Sequence, residues 1–96
     1  MHLPVEDFEP LRVEYLESFY DSVLMLDGSP EAFRALIELL DAALIHGETV
    51  PTLDNSTTRV LRTARDSGLP PVRLFFTIER GTIKFMHVAH YVENEP

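Results

Sequence analysis

The chain contains 96 residues, of which 45% are hydrophobic and 25% are charged, a composition typical of one globular domain spanning residues 1–96. It contains no cysteine, which excludes disulfide scaffolds and cysteine-ligated zinc sites. No apolar run approaches the roughly 20 residues that a transmembrane helix needs. The acidic opening MHLPVEDFEP lacks the basic flank of a secretion signal. We therefore expect a cytoplasmic protein that does not enter the membrane.

The net charge of −8 is spread unevenly along the chain. Residues 1–56 contain twelve acidic and two basic side chains, whereas residues 57–96 contain four acidic and six basic ones. An acidic body repels nucleic-acid phosphates, but the C-terminal bases predict a locally basic surface. Two explanations of these bases stay open. They pair with acids of the first half, or they form a surface that binds phosphate or carboxylate groups.

The first half of the chain predicts one strand and two helices. Residues 11–15 alternate apolar and polar side chains, as a short strand does. Apolar residues then recur at helical spacing over residues 16–26, and the helix should stop at Asp27-Gly28. Ser29-Pro30-Glu31 predicts a helix start, with an N-cap, a first-turn proline and an early acid. This second helix should end near His46-Gly47, and the short connection predicts an antiparallel helix hairpin.

The second half predicts three strands. The segment 58–65 is a candidate strand, and the segments 72–79 and 82–92 show the clearest strand patterns. The last two are separated by Arg80-Gly81, a dipeptide that suits a type I′ hairpin turn. The predicted fold class is therefore α+β: an N-terminal strand, a helix hairpin, and three antiparallel strands in one curved sheet with both helices on one side.

The two-residue turn sets Glu79 opposite Thr82 and thereby predicts which side chains share a face of the hairpin. Regular alternation places on its exposed face three cationic or titratable side chains and two large apolar ones: Arg73, Lys84, His90, Phe75 and Met86. His87 should lie on the other face, buried against the helices. Because His87 and His90 then point in opposite directions, they cannot share an ion, and we expect neither a metal nor another cofactor.

Two segments, which together with the residues between them cover about residues 11–92, resemble a known family. The opening LRVEYLESFYDSVLML is similar to the first strand and first helix of the RelE/ParE superfamily of small toxins. The stretch VLRTARDSGLPPVRLFFTIERGTIKFMHVAHY is similar to its central strands. Within the superfamily, Leu61-Arg62 and the segment 72–76 resemble the HigB-type branch. The ending His90-Tyr91 resembles the YoeB branch.

This resemblance implies a toxin of a type II toxin–antitoxin system, and many such toxins are ribosome-dependent endoribonucleases that cut mRNA without a metal. Arg73 would then stabilise the charge of the scissile phosphate, and His90 would act as general acid or base. Tyr91 would assist in the same region, although regular alternation places it on the face opposite Arg73. Arg62 and Lys84 would bind RNA. The implied partners are a cognate antitoxin, the ribosome and mRNA.

The acidic composition keeps two other functions open. The chain contains a single lysine, and its isoelectric point is about 4.8, which weakens attraction to the RNA-lined decoding site of the ribosome. One alternative is a non-catalytic module that binds a protein or dimerises through Phe75 and Met86. The other is a ParE-like toxin that targets gyrase and needs no catalytic residue. In the non-catalytic case, Arg73 would pair with an acid such as Glu79 or Glu93.

Overall fold

The computed structural model describes residues 12–26, 28–64 and 66–91, and within these ranges it contains four strands and two α-helices. The fold class is α+β, as predicted. The strands are β1 (Arg12–Tyr15), β2 (Thr58–Arg62), β3 (Val72–Glu79) and β4 (Thr82–His90). The helices are α1 (Glu17–Leu24) and α2 (Pro30–His46), and a short 3₁₀ turn (Gly47–Thr49) follows α2. Four residues that the predicted elements or their ends include lie outside the described residues: Leu11, Asp27, Arg65 and Val92.

The strands form one mixed sheet in the order β1-β4-β3-β2. β1 runs parallel to β4, whereas β2, β3 and β4 pair antiparallel, as predicted for the last three strands. Both helices cover the same face of the sheet, with α1 against β4 and α2 against β3. Because each helix packs mainly on a strand, the predicted hairpin of mutually packed helices is not confirmed.

Helix α2 begins and ends at the predicted signals. The Ser29 hydroxyl accepts a hydrogen bond from the Ala32 amide at 3.1 Å, and Pro30 occupies the first turn. Gly47 follows the helix where it passes closest to the sheet. A Cβ atom there would lie 3.2 Å from side-chain atoms of both Phe76 and Ile78, so this close approach favours glycine.

The core lies between the helices and the covered face of the sheet. Its fully buried side chains alternate along β3 and β4, and the helices contribute mainly alanine, leucine and one phenylalanine. Its members are Phe19, Ala35, Leu36, Leu39, Ala43, Val72, Leu74, Phe76, Ile83, Phe85 and Val88. Burial of each large apolar side chain contributes roughly 1.5–3 kcal/mol, so this cluster is the main source of stability.

Helix α1 takes the place of a neighbouring strand along the outer edge of β4. β1 pairs with β4 only as far as Phe85, so the backbone of β4 beyond that residue needs other partners. The Ser18 hydroxyl donates to the Met86 carbonyl at 2.7 Å. The Val88 amide donates to the buried Ser22 hydroxyl at 3.0 Å, and that hydroxyl donates to the Phe19 carbonyl at 2.7 Å. The two serines therefore satisfy backbone groups that an exposed edge would leave open.

The hairpin between β3 and β4 follows the predicted register near its turn. Arg80 and Gly81 have φ angles of 49° and 79°, consistent with a type I′ turn. Glu79 lies opposite Thr82, and the regular pairing continues as far as Phe76 opposite Phe85. The next pair is Phe75 with His87, so Met86 is an extra residue in β4 and forms a β-bulge.

The bulge overturns the predicted faces of the last residues of β4. Arg73 lies opposite Ala89 rather than Val88, and His90 lies opposite Val72 on the helix-covered face. The prediction that His90 shares a face with Arg73 is therefore wrong. The prediction that His87 is buried is also wrong, because His87 is exposed on the face away from the helices. The physical reason is that the bulge places Val88, only 1% exposed, in the core.

This register can be tested with engineered disulfides, because the chain contains no cysteine of its own. The pair Arg73→Cys and Ala89→Cys should cross-link under mild oxidation, since directly opposed strand residues have the Cα separation that a disulfide needs. The pair Arg73→Cys and Val88→Cys should not, because the two side chains point to opposite faces. Mass spectrometry after alkylation of free thiols distinguishes the two results. Cross-linking of the second pair alone would contradict the bulge.

We expect the Ser22→Ala variant to be less stable by about 1–3 kcal/mol, because the buried Val88 amide would lose its acceptor. Ser18→Ala is the matched control, since Ser18 is exposed and water can replace its hydroxyl. The measurement is the free energy of unfolding in urea. Equal losses of unfolding free energy in the two variants would show that the hydrogen bond from the Val88 amide stabilises the fold no more than the exposed bond of Ser18.

Candidate functional site

The face of the sheet opposite the helices, here called the open face, contains most of the chemistry-bearing side chains of the C-terminal half. Directly paired strand residues point to the same side, so the register assigns the members of this face. Most come from β2, β3, β4 and the residue after β4: Val60, Arg62, Arg73, Phe75, Lys84, His87 and Tyr91. The register also places two carboxylates on this face, Glu79 of β3 and Glu14 of β1, which lies opposite Lys84.

Two arginines flank one tyrosine at the end of the open face. Arg62 and Arg73 lie opposite each other in β2 and β3. The guanidinium carbon of Arg62 is 5.8 Å from the centre of the Tyr91 ring, and that of Arg73 is 5.5 Å from it. Both distances are within the range of cation–π attraction. We call Arg62, Arg73 and Tyr91 the arginine–tyrosine cluster.

Backbone contacts hold Tyr91 in this position. Its amide donates to the Pro71 carbonyl at 3.1 Å, which continues the pairing of β4 with the chain before β3. Its hydroxyl lies 3.5 Å from the Thr63 carbonyl oxygen, just after β2. The buried Thr63 hydroxyl in turn donates to the Pro70 carbonyl at 2.9 Å and accepts from the Val72 amide at 3.1 Å. The ring is thus tied to both neighbouring strands.

The aromatic row continues from the cluster towards the middle of the sheet. The Arg73 guanidinium carbon is 5.7 Å from the centre of the Phe75 ring, and the Phe75 and His87 rings are 5.8 Å apart. Val60 lies opposite Phe75 on β2. The open face therefore combines guanidinium groups, two aromatic rings and an imidazole in one continuous row.

Arg73 carries hydrogen-bond donors that the described part of the chain does not use. No carboxylate in residues 12–26, 28–64 or 66–91 forms an ion pair with Arg73, and its buried Nε atom lacks an acceptor there. Pairing with Glu79 is therefore not seen, and Glu93 lies outside the described residues. The buried Nε of Arg59 also lacks an acceptor, so this feature alone does not distinguish the two arginines. The Nη groups of a guanidinium without a carboxylate partner can donate parallel hydrogen bonds to a phosphate or carboxylate.

Arg59 belongs to the same basic segment but has a structural role. It lies opposite Phe76 and therefore on the helix-covered face. Its Nη1 donates to the carbonyls of Val50 at 2.6 Å, Glu48 at 3.1 Å and Gly47 at 3.4 Å. A cation here compensates the carbonyl groups that follow the C-terminus of α2.

The structure brings together some of the residues predicted from sequence and separates others. Arg62, Arg73, Tyr91 and Phe75 lie together on the open face. Lys84 is on the same face but nearer the turn, opposite Thr77, and half-buried Met86 is the bulge residue beside His87. The register excludes His90 from this group, since it lies opposite Val72 on the helix-covered face. A depression beside α1 is lined by both His87 and His90, together with Ser22 and Met25.

The sequence-based prediction did not place His87 on the open face, although the hydrophobic pattern of β4 contains evidence for that placement. A regular strand would bury His87 and Ala89 and expose Val88, whereas one extra residue at Met86 buries the valine instead. Val88 is more hydrophobic than His87, so a comparison of the residues buried with and without the bulge would have favoured the bulge. The prediction that Tyr91 lies on the face opposite Arg73 is wrong for the same reason, because the Arg73 guanidinium lies over the Tyr91 ring.

The comparisons with known proteins do not add a family: no protein-family model matches the sequence, and no curated protein matches it significantly. Among the described residues, no three histidine, aspartate or glutamate side chains are grouped so that they could hold a metal ion. None of the described helices has the length and hydrophobicity needed to cross a bilayer. The side chains of the open face can bind an anion, stack planar groups and exchange a proton.

The arginines of β2 and β3 should separate into two classes when each is replaced by methionine, which keeps an apolar stem. Arg59→Met should lower the free energy of unfolding by about 2 kcal/mol or more, because its bonds to three carbonyls are lost. Arg62→Met and Arg73→Met should each cost less than about 1 kcal/mol, the size of an exposed cation–π contact. Urea unfolding measures all three, and a large loss in Arg73→Met would mark that residue as structural.

Proposed function

We propose that the protein is a toxin-like endoribonuclease of the RelE/ParE type that binds RNA on its open face. The observation that carries this proposal is the Tyr91 ring flanked by two guanidinium groups, neither of which forms an ion pair within the described residues. The order of elements also supports it, since a strand, two helices and three strands is the order that the resemblance implies.

RNA binding follows from the chemistry of the open face. Guanidinium groups bind phosphate oxygens through paired hydrogen bonds, and arginine remains charged at any physiological pH. Aromatic rings such as Tyr91 and Phe75 offer surfaces on which unpaired bases stack. Together these groups favour single-stranded RNA, whose bases are accessible for stacking, over a closed duplex.

Cleavage without a metal needs one group to remove a proton and another to supply one. The proton leaves a ribose 2′-hydroxyl, and its oxygen bonds to the adjacent phosphorus. The bond from phosphorus to the 5′-oxygen breaks, and that oxygen takes up a proton. The ends formed are a 2′,3′-cyclic phosphate and a 5′-hydroxyl. We assign one proton transfer to His87, because an imidazole suits this task near neutral pH and His87 shares the open face with Arg73.

Arg73 would stabilise the charge that develops on the phosphate during this step. Both Arg73 and His87 contact the Phe75 ring, so the cationic group and the imidazole flank one apolar position. Arg62 and Lys84 would bind neighbouring phosphates of the same strand. Tyr91 would orient the two guanidinium groups and stack on a base.

The net charge of −8 does not oppose binding at this face. Most acids belong to the first half of the chain, and α1 and α2 carry theirs on the side of the sheet away from the open face. The acids of the open face, Glu14 opposite Lys84 and Glu79 at the turn, lie at the end of the face away from the arginine–tyrosine cluster. At physiological ionic strength, exposed charges more than about 8 Å apart are largely screened. The local cations therefore act on a bound strand more strongly than the distant acids do.

The test compares two histidines that differ in the face they occupy. With translating ribosomes and a defined mRNA, His87→Ala should reduce the cleavage rate by about 100-fold or more, the usual loss of a general acid or base. His90→Ala is the matched control and should cleave at the rate of the unchanged protein. Arg73→Met should lose cleavage as His87→Ala does, and primer extension maps the cut sites. Loss of cleavage in His90→Ala with full activity in His87→Ala would refute the assignment.

The apolar part of the open face favours a second candidate, a protein-binding module without catalysis. Phe75 and Met86 are both only half-buried there, so a partner would gain by covering them. In that case the folded protein cleaves no RNA, and Phe75→Asp abolishes capture of the partner. A gyrase-directed toxin would instead inhibit supercoiling in vitro and would arrest growth equally with and without His87.

A further inference from the structure

Helix α2 carries a second apolar stripe besides the one it buries in the core. Its members follow each other at intervals of four, three and four residues, and we call them the α2 seam: Phe33, Ile37, Leu40 and Leu44. With roughly 100° of rotation per residue, the seam lies about a third of a turn from the buried stripe. Phe33 is 60% exposed, Ile37 48% and Leu44 39%, and Leu40 is partly buried against the core.

This spacing is the one with which helices pack against other helices. Alternating intervals of three and four residues place apolar side chains along one line, where each fits between side chains of a facing helix. The core residues of α2, such as Leu36 and Leu39, already account for the contact with the sheet. Within residues 12–26, 28–64 and 66–91, no other element covers the seam.

We propose that the α2 seam is an interface between two copies of this chain, with the two α2 helices antiparallel about a twofold axis between Ile37 and Leu40. This symmetry makes the seam complementary to itself. Phe33 packs against Leu44 of the partner subunit, and Ile37 packs against Leu40 of the partner subunit. The same contacts occur twice, as a twofold interface requires.

The charges beside the seam favour a second copy of this chain as the partner. Arg34 is the sole basic residue in the segment 13–58, and it lies next to the seam on the side away from the core. Asp41 flanks the seam on that same side, two turns further along. In the antiparallel pair, Arg34 approaches Asp41 of the partner subunit, and the symmetry repeats this pairing of opposite charges.

The size of the seam predicts a reversible dimer. A helix of 17 residues such as α2 is about 25 Å long. Four seam residues in each copy cover less than the roughly 800 Å² per partner of a standard stable interface. The monomer of 11.0 kDa should therefore associate in a concentration-dependent way, to a mass of about 22 kDa. Because the seam is on the helix side, association does not cover the open face.

Sedimentation equilibrium with the full chain, from about 1 to about 500 µM, tests this interface. Ile37→Asp should weaken association by at least about 30-fold, as loss of a central interface residue does. Ile45→Asp is the matched control, because Ile45 lies on the same helix, is 72% exposed and is outside the seam. It should leave the dimer unchanged. Circular dichroism confirms that both variants are folded.

Charge reversal tests the antiparallel orientation. Arg34→Asp and Asp41→Arg should each weaken association, because like charges then meet across the axis. The double variant Arg34→Asp with Asp41→Arg should restore it, since the opposite charges are exchanged. A protein that stays monomeric at the highest concentration, equal losses in Ile37→Asp and Ile45→Asp, or a double variant weaker than either single one would each overturn the proposal.

Discussion

The burial of Val88 in the core determines which way the side chains of β4 point from His87 to the end of the strand. With one extra residue at Met86, the strand directs Val88 towards the helices and His87 away from them. Without that residue, an imidazole would replace an apolar side chain in a closely packed cluster. Burial of a polar ring without a partner costs free energy, whereas burial of valine is favourable. The bulge is thus a consequence of the hydrophobic core, and the chemistry of the open face depends on it.

The bulge at Met86 is also where α1 forms hydrogen bonds to the sheet. The pairing of β1 with β4 ends at Tyr15 and Phe85, one residue before the bulge. Beyond that pair, α1 lies along the edge of β4. Its two serines bond to the carbonyl of Met86 and the amide of Val88, the residues on which the change of face depends. A neighbouring strand pairs best with a regular ladder, whereas separate hydroxyls adapt to an interrupted one. The edge of β4 is therefore paired in two ways: β1 pairs with its regular part, and the serines of α1 bond to the backbone at the bulge.

Local signals made much of this fold predictable, and long-range packing made the rest unpredictable. Ser29 and Pro30 start α2, and Arg80-Gly81 shapes the hairpin turn, because each acts on its own backbone. The bulge depends on which residue of β4 meets the core, and that depends on helices distant in sequence. Arg62, Arg73 and Tyr91 were recognised individually, but the contact of both guanidinium groups with one ring follows from the register. A one-residue shift, too small to change the strand pattern, moved His90 out of the site and His87 into it.

The two faces of the sheet also divide the charge of the molecule in a way that bears on function. The helices carry five of the ten acids of the described chain, and the open face carries Arg62, Arg73 and Lys84 together with Glu14 and Glu79. Since phosphate is repelled by the acids of the helix side, the proposed RNA site is on the open face. The α2 seam lies on the acidic side, where association hides no cation of the open face and, in the antiparallel pair, Arg34 offsets part of the repulsion. The proposed binding of RNA and the proposed pairing of two copies are therefore compatible, because they use opposite sides of one sheet.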